Sequence, residues 1–486
     1  MSPPGVSGRA RVVRLGGPLR HHDFRFLWIG MSTSLVGDGV LMVALAWQVY
    51  ALSRDPAAMS AVGVALSLPQ VATLLFGGVL SDRLDRRAVM LVSDLVRGCC
   101  LATLAVLTLR GGPQLWQVLV IVALYGAAAG FFGPAFDSLV PELVDEESLV
   151  AANAVDQFVR PTAMQIVGPA VGGALIALIG VGWAFALDAL TFAVSVSCLM
   201  AIRHRVAVVG QWWQQVAKHR TTGRHYAGRE TRVVGRGALS SRRDSAEGGS
   251  LWEELGEGLR YVRGHVWLWG PLGAAALTYL LFLGPTEVLL PYLIKNIMGG
   301  TASDLGLVLT SGGLGAIVAA VTVGRFGLPR RYITFMFVAW ASATLAVAGY
   351  GIGRSTWQLA LTCALVTGIE AAGAVAWATL KQRLVPTRLL GRVSSVDWFV
   401  STALLPLSYA LTAPIAKAIG VRETLIGAGL LGAAVTLSFL FLPGMRAMEQ
   451  APDRKRGRQP AHRAHGPEQR RDPQAESEQH GRTVAA

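Results

Sequence analysis

The sequence predicts an all-α membrane protein with twelve transmembrane helices arranged in two pseudo-symmetric six-helix bundles. Apolar residue types make up 52% of the 486 residues, whereas charged types make up 15%. Soluble domains usually carry charge on roughly 25% of their residues, and a chain this poor in charge could not cover a water-facing surface. Long apolar segments also alternate with short turns along the chain. A soluble domain, a disordered chain, a coiled coil and a disulfide framework are therefore excluded.

Twelve segments are long enough to cross a bilayer, because a helix needs about 20 mainly apolar residues to span the hydrocarbon core. Turn sequences such as Arg54-Asp55-Pro56 separate them. The predicted spans are 25–51, 57–80, 88–109, 114–136, 149–178, 181–202, 266–294, 303–325, 332–352, 355–380, 392–418 and 421–443. The predicted parts of the chain are an N-terminal cytoplasmic arm (1–23), a first bundle (24–203), a basic linker with an amphipathic helix (204–265), a second bundle (266–444) and a disordered cytoplasmic tail (445–486).

The positions of lysine and arginine predict the orientation, because short cytoplasmic loops carry an excess of these residues. Most of the basic loop residues fall on one side, including Arg83, Arg86, Arg87, Arg330, Arg331, Lys381 and Arg383. This bias places both termini in the cytoplasm of a multi-pass protein of the plasma (inner) membrane. The net charge of +14 is explained by the loops and tails, so a lipid bilayer is an expected partner and nucleic acid is not.

An internal repeat relates the two halves of the chain. Val155-Asp156-Gln157-Phe158-Val159 in the fifth span resembles Val396-Asp397-Trp398-Phe399-Val400 in the eleventh. The same offset pairs Leu27-Trp28 with Leu268-Trp269 at the start of the first and seventh spans. Two parallel six-helix halves imply a pseudo-two-fold axis along the membrane normal and a pathway between the halves, which is the architecture of an alternating-access carrier.

The loop between the second and third spans carries a specific motif that begins at Gly78 and ends at Arg87. Gly78 permits close approach of another helix, and Asp82 can accept hydrogen bonds from the free amides of a helix N-terminus. Arg86 or Arg87 can hold a carboxylate across the loop, for which Asp137 is the candidate. These residues are predicted to form a cytoplasmic gate. The alternative is a polar turn that follows the positive-inside rule, which would explain the arginines but not the aspartate.

This motif resembles the loop-2/3 signature of the major facilitator superfamily, with Asp85 in place of the usual second glycine. The same replacement is typical of the branch that includes the enterobactin exporter and macrolide-efflux carriers. Other stretches that resemble this branch are Phe131 to Ala135, Ala151 to Ala154, Leu255 to Arg263 and Leu390 to Ser395. The resemblance implies the major facilitator fold and transport of a small-molecule substrate by a monomer. The equivalent loop, Gly324 to Arg331, has no aspartate, so an asymmetric gate is expected.

A glycine-proline sequence in the fifth span provides a second motif, formed by Gly168, Pro169, Gly172 and Gly173. The proline interrupts a backbone hydrogen bond, and the glycines allow contact between helix backbones. It resembles the span-five motif of antiporters in the superfamily, which implies export. The alternative is ordinary helix packing, since glycine and proline are common in membrane helices.

Carboxylates inside the spans are candidate functional groups, because an unpaired charge in a membrane costs several kcal/mol. Asp94 has Arg97 three residues later, so that pair is predicted to be structural. Asp188 and Asp397 lie nearer span ends, where they could serve as caps or gates. Three acids have no basic neighbour one helical turn away, namely Asp38, Glu287 and Glu370.

In the superfamily resembled, the first, fourth, seventh and tenth helices line the transport cavity. Asp38, Glu287 and Glu370 lie on three of them and are therefore the candidates for binding a proton or the substrate. The alternative is that each acid is a hydrogen-bonded structural group.

The sequence predicts a proton-coupled exporter of a small amphipathic or apolar compound, such as a drug or a siderophore-like metabolite. It contains no phosphate-binding glycine loop and no metal-ligand motif, so the proton gradient is the expected energy source, with no cofactor. An importer or facilitator on the same fold, or a non-transporting membrane sensor or scaffold, are the alternatives.

Overall fold

The computed structural model describes residues 20–83, 85–143, 159–202 and 259–450. Within these ranges lie twelve helices that are long and apolar enough to cross a membrane. They are α1 (His22–Leu52), α2 (Pro56–Arg83), α3 (Arg86–Leu109), α4 (Leu115–Leu143), α5 (Val159–Ile179), α6 (Val181–Ala201), α7 (Val266–Ile297), α8 (Ala302–Phe326), α9 (Tyr332–Ile352), α10 (Thr356–Leu384), α11 (Thr387–Ala403, continued by Leu405–Ile419) and α12 (Val421–Leu440). The predicted all-α class is confirmed. A short helix, α13 (Ala447–Gln450), belongs to a separate C-terminal unit.

Helix pairing repeats between the two halves of the molecule. In the first half, α1 packs on α5 and α6, α2 packs on α4, and α3 packs on α4 and α6. The second half reproduces each pair six helices later: α7 packs on α11 and α12, α8 on α10, and α9 on α10 and α12. This correspondence is the pseudo-symmetry that the repeated sequence words predicted.

The two halves meet along α5 with α8 and along α2 with α11, which are themselves equivalent pairs. Many of these contacts lie at the end of the bundle where α1 ends and α2 begins. The distribution of basic residues predicts that this end faces outward, and it is called the outer end below. The largest buried cluster combines side chains of both halves here, including Val40, Tyr50, Val288, Leu305 and Tyr409. The outer end is therefore closed.

Four of the spans contain backbone irregularities. In α7, the last five residues, Leu293–Ile297, have π-helical hydrogen bonding. In α5, the segment Thr162–Val167 has π-helical hydrogen bonding immediately before Pro169. Since proline has no N–H, a widened turn accommodates the missing hydrogen bond. The helix α9 is interrupted at Val347, and α11 is interrupted at Leu404, two residues before Pro406.

The glycines of α5 make close contacts in two directions. A Cβ atom on Gly168 would lie 2.6 Å from the Cα of Gly39 in α1, and one on Gly172 would lie 3.0 Å from the Cα of Val40. A Cβ on Gly173 would instead lie 3.0 Å from the Cα of Gly306 in α8. The glycine-proline sequence therefore packs α5 against α1 within its own half and against α8 of the other half.

Parts of the predicted linker and of the fifth span lie outside the described residues. They include residues 144–158, which contain Asp156, and residues 203–258. The last turn of the predicted amphipathic helix is described and is helical from residue 259 to residue 263. Its Val262 is buried in a cluster with Trp267 and Leu268.

We expect Gly173→Leu to open the outer end without preventing insertion, because the added side chain would collide with the backbone of α8. The measurement is the labelling rate of Ala302→Cys by a membrane-impermeant maleimide, in a protein whose four native cysteines are replaced. Ala302 is 2% exposed, so labelling should be slow in the parent and several-fold faster in the variant. Gly427→Leu is the matched control, since a Cβ there meets no atom within 4 Å. Equal rates in all three proteins would contradict this account of closure.

Candidate functional site

Four helices of the first half bring ionisable side chains together inside the bundle. They are Asp38 of α1, Asp94 and Arg97 of α3, Tyr125 of α4 and Asp188 of α6, and this set is called the N-half charge cluster below. Apart from Asp94 and Arg97, these residues lie far apart in the sequence. The packing of α6 on α1 and α3, and of α3 on α4, joins them.

Arg97 is the centre of the cluster. Its guanidinium forms an ion pair with Asp94, which confirms the pair predicted from their spacing. The same guanidinium lies 3.9 Å from the carboxylate of Asp38 on α1, a contact that the spacing could not reveal. Its Cζ atom also lies 4.6 Å from the ring centroids of both Phe132 and Phe192. Aromatic faces of this kind stabilise a desolvated cation.

Two hydroxyl groups complete the environment of the aspartates. The Tyr125 hydroxyl donates a hydrogen bond to Asp38, and the Ser195 hydroxyl donates to Asp94 over 2.6 Å. The side chain of Asp38 is 19% exposed, whereas that of Asp94 is 0% exposed. Asp38 is therefore the aspartate of this pair that solvent can reach.

Asp188 lies in the interior, which corrects the prediction that it caps or gates a span end. It is fully buried two turns into α6, where the Thr191 hydroxyl lies 3.2 Å from its Oδ1. Its Oδ2 has no hydrogen-bond partner among the described residues. A Cβ on Gly37 would lie 2.0 Å from Oδ1 of Asp188, so only glycine at position 37 leaves room for this carboxylate.

The charges of the cluster do not balance. Three carboxylates face one guanidinium, so the fully ionised cluster would hold two uncompensated negative charges away from water. Burying an uncompensated charge costs several kcal/mol, and a carboxyl group without donors avoids this cost by taking up a proton. The chemistry that this arrangement can perform is therefore the binding and release of protons.

The second half contains two carboxylate–phenol pairs. The Tyr279 hydroxyl of α7 donates to Glu370 of α10 over 3.3 Å, beside a cavity of about 40 Å³ that Thr278 and Trp340 also line. The repeat offset that pairs Asp156 with Asp397 also pairs Asp38 with Tyr279. In the first half, the carboxylate lies on α1 and the phenol on α4. In the second half, the phenol lies on the equivalent α7 and the carboxylate on the equivalent α10. In the other pair, the Tyr409 hydroxyl of α11 donates to Glu287 of α7.

Direct contacts between the halves close the outer end. The Lys295 ammonium of α7 donates to the carbonyl of Trp47 over 2.7 Å and lies 4.4 Å from its ring centroid. The Tyr50 hydroxyl donates to the carbonyl of Val288 over 2.5 Å. At the surface, Lys417 of α11 donates to Asp55, which precedes α2, over 2.8 Å.

At the opposite end, the structure places part of the predicted cytoplasmic gate. Asp397 accepts hydrogen bonds from Lys381 and from Trp377 Nε1, the latter over 3.0 Å, so its partners lie on α10 of its own half. Asp85 caps α3 by accepting from the Arg87 amide, and the Arg87 guanidinium donates to the carbonyl of Leu199 at the end of α6.

The remaining gate residues are only partly described. Arg86 is the first residue of α3, and Gly78, Asp82 and Asp137 have backbone positions in α2 and α4. The side chains of Asp82 and Asp137 lie outside the described residues, so their predicted contacts stay predictions.

Sequence reasoning missed the tyrosine partners of the three candidate acids. Tyr125, Tyr279 and Tyr409 each stand inside an apolar span, where a hydroxyl group requires a hydrogen-bond partner. A search for mid-span tyrosines would have found all three. The links themselves depend on tertiary packing.

Comparison with known proteins gives concordant matches. A model of the family described as transmembrane secretion effectors matches residues 16–228 and 237–469. Macrolide efflux protein A of Streptococcus pyogenes is 23% identical over 415 residues, which cover 84% of this chain and 93% of that protein. The multidrug efflux pump Tap of Mycolicibacterium fortuitum is 26% identical over 438 residues, which cover 86% and 95%.

Two solved structures share the fold at low sequence identity. A bacterial homologue of the iron transporter ferroportin, in an inward-facing state, superposes with a TM-score of 0.56 at 18% identity, over 87% of this chain and 99% of that one. A mutant of the nucleoside transporter NupG superposes with a TM-score of 0.59 at 10% identity, over 86% and 98%.

We expect Arg97→Gln to destabilise the protein by about 3–5 kcal/mol, because it leaves buried carboxylates without their cation. Thermal unfolding of the purified protein measures the effect. Adding Asp94→Asn to Arg97→Gln should restore part of the lost stability, since it removes one of the uncompensated charges. Arg110→Gln, at an exposed loop position, is the matched control. An Arg97→Gln protein as stable as this control would contradict the assigned charge balance.

The pair of Lys417 and Asp55 should make outer closure sensitive to acid. The hydrogen bond from Lys417, together with that from the Ala57 amide, lowers the pKa of Asp55 below its usual value. An aspartate whose pKa is lowered in the folded protein stabilises that state when it is ionised. The full stabilisation is present above the pKa of the unfolded state, about 3.9, and it is lost as the pH falls through the pKa of the folded state. The pair is exposed, so its contribution is less than about 1 kcal/mol.

Distances between spin labels at Gln114 and Arg354, which lie at the outer ends of the two halves, measure this effect. Below about pH 4, the fraction of the parent protein with longer label-to-label distances should increase. The ratio of open to closed molecules should rise by less than about fivefold. Asp55→Asn and Lys417→Gln should show no such transition. A transition that persists unchanged in both variants would assign the acid sensitivity elsewhere.

Proposed function

Since the chain belongs to the transmembrane secretion effector family of the major facilitator superfamily, it is a membrane transporter, and we propose that it exports a small amphipathic or apolar compound in exchange for protons. The protein would act as a monomer in the plasma membrane with both termini in the cytoplasm. The energy would come from the proton gradient, with no cofactor.

The N-half charge cluster is the observation that carries this proposal. Its carboxylates outnumber its one cation, which favours proton binding. The partly exposed Asp38 allows protons to exchange with solvent. A proton that enters from outside would neutralise Asp38 and weaken its interaction with Arg97. Release of the proton on the cytoplasmic side would restore the interaction. In this cycle, the protonation state of Asp38 on α1 would change how α1 packs on α6 and interacts with α3.

The contacts of α1 explain how protonation could be coupled to opening. The residue beside Asp38, Gly39, packs against Gly168 of α5, and α5 in turn packs through Gly173 on α8 of the other half. A displacement of α1 therefore reaches the interface between the halves through one helix. Such coupling requires a structural element with two arrangements, whose equilibrium depends on both sites. Here the element would be α5, and the sites would be the N-half charge cluster and the interface with α8.

The direction of transport is inferred from three sources. The relatives are named as efflux proteins, the family is described as secretion effectors, and the glycine-proline sequence resembles that of antiporters. An importer or facilitator on the same fold is the alternative. It would show uptake into cells and no dependence on the carboxylates.

The gate at the cytoplasmic end completes the proposal. Asp82 would cap the N-terminus of α11 near Gly391 when that end closes, and Arg86 would pair with Asp137. Asp397 would change partners from Lys381 during the same transition. The linker at 204–265 and the tail at 445–486 would remain cytoplasmic outside the two bundles of 24–203 and 266–444.

We expect Asp38→Asn to fold normally and to lose gradient-driven accumulation, because asparagine keeps the shape of aspartate but cannot release a proton. The measurement is uptake of candidate drugs into everted membrane vesicles, with and without a proton gradient. Passive exchange of the substrate across the membrane should survive in the variant.

Asp55→Asn is a matched control for this assay, since it also neutralises an aspartate of the first half but outside the cluster. It should accumulate substrate at neutral pH. Full gradient-driven export by Asp38→Asn would rule out Asp38 as the proton carrier, and Glu370→Gln in the same assay would then test the next candidate.

A further inference from the structure

Among the described residues of the membrane interior, Glu287 and Glu370 each have a tyrosine hydroxyl and no cation as a partner, and Glu287 is the more exposed of the two. Asp38, Asp94 and Asp188 share the guanidinium of Arg97, and Asp397 pairs with Lys381. Glu287 is exposed, ten residues from the outer end of α7. Among the parts of the chain that the structure describes, its one hydrogen-bonding partner is the neutral hydroxyl of Tyr409.

The surroundings of Glu287 place it between the two halves rather than against lipid. Tyr409 is 5% exposed, and a Cβ on Gly63 of α2 would lie 2.6 Å from its ring. The next residue on α7, Val288, accepts a hydrogen bond from Tyr50 of α1. The carboxylate therefore stands where α1 and α2 of the first half meet α7 and α11 of the second.

The basic residue on the same helix cannot compensate Glu287. Lys295 lies two turns further toward the outer end, where its ammonium donates to the carbonyl of Trp47 and rests on the ring. The phenol of Tyr409 occupies Oε2 of Glu287, which leaves Oε1 free of a hydrogen bond from any described residue. A carboxylate in a membrane interior marks a substrate or ion pathway and is stabilised by a counter-charge, which the substrate can supply.

We propose that Glu287 is a binding site for the positive charge of the substrate, so that the transported compounds are amphipathic monocations such as protonated tertiary amines. This inference rests on the proposed export function and narrows its substrate class. It also separates two tasks: the N-half charge cluster handles the proton, and the carboxylate–phenol pair of Glu287 and Tyr409 holds the substrate. The buried aromatic and aliphatic side chains around this junction suit the apolar part of such a molecule.

Equilibrium binding to purified protein in lipid nanodiscs tests this proposal. The probes are tetraphenylphosphonium, a permanent monocation, and triphenylphosphine oxide, a neutral molecule with similar aromatic groups. The wild-type protein should prefer the cation. Glu287→Gln should bind the cation about tenfold more weakly or worse and bind the neutral probe as before.

Two further variants make the result specific. Glu423→Gln is the matched control, since Glu423 lies in the first turn of α12 at the outer end, and it should bind both probes like wild type. Glu287→Asp keeps the charge and should retain the preference for the cation. A wild-type protein without preference for the cation, or a Glu287→Gln variant that keeps the preference, would overturn the proposal.

The outcome is independent of the export test, because binding is measured without a proton gradient. Loss of cation preference in Glu287→Gln combined with gradient-independent transport would contradict proton coupling and leave the cation site standing. Gradient-driven export with unchanged cation preference in Glu287→Gln would contradict the cation site alone.

Discussion

The charge of Arg97 organises the first half of this transporter. A guanidinium in a membrane interior is stable when carboxylates surround it, and here they come from three helices, α1, α3 and α6. Because the carboxylates outnumber the cation, we propose that the same arrangement that holds the helices together also binds protons. Structural and functional demands therefore meet in one set of side chains, and this explains why the tightest glycine contact of α1, at Gly37, lies beside it.

Close helix contact connects this cluster with the rest of the molecule. Membrane helices gain little from the hydrophobic effect when they associate in lipid, so they depend on small residues that allow dense packing. The glycines of α5 provide such surfaces in two directions, toward α1 and toward α8. The closed outer end then adds polar contacts between the halves, such as that of Lys295 with Trp47. The helix α5 consequently packs both on α1, which carries Asp38, and on α8 of the other half.

The sequence predicted the helices and their pseudo-symmetry because span length and the repeated words are local properties. It also predicted the pair of Asp94 and Arg97, whose spacing of three residues fixes their contact in any helix. It could not predict that Arg97 also reaches Asp38, or that Asp188 completes the cluster, since these contacts depend on how α1, α3 and α6 rotate about their axes. The tyrosine partners were missed for the same reason, although their positions inside apolar spans were visible.

The presence of an exchangeable proton in the N-half charge cluster is the central claim, and infrared spectroscopy of the purified protein tests it most directly. A protonated carboxylic acid has a carbonyl stretching band that is distinct from the bands of carboxylates and amides. We predict that raising the pH removes such a band from the wild-type spectrum, that the band shifts in deuterium oxide, and that this transition is weaker in Asp38→Asn, which retains Asp94 and Asp188. The same pH-dependent band in Asp38→Asn as in wild type would contradict the account.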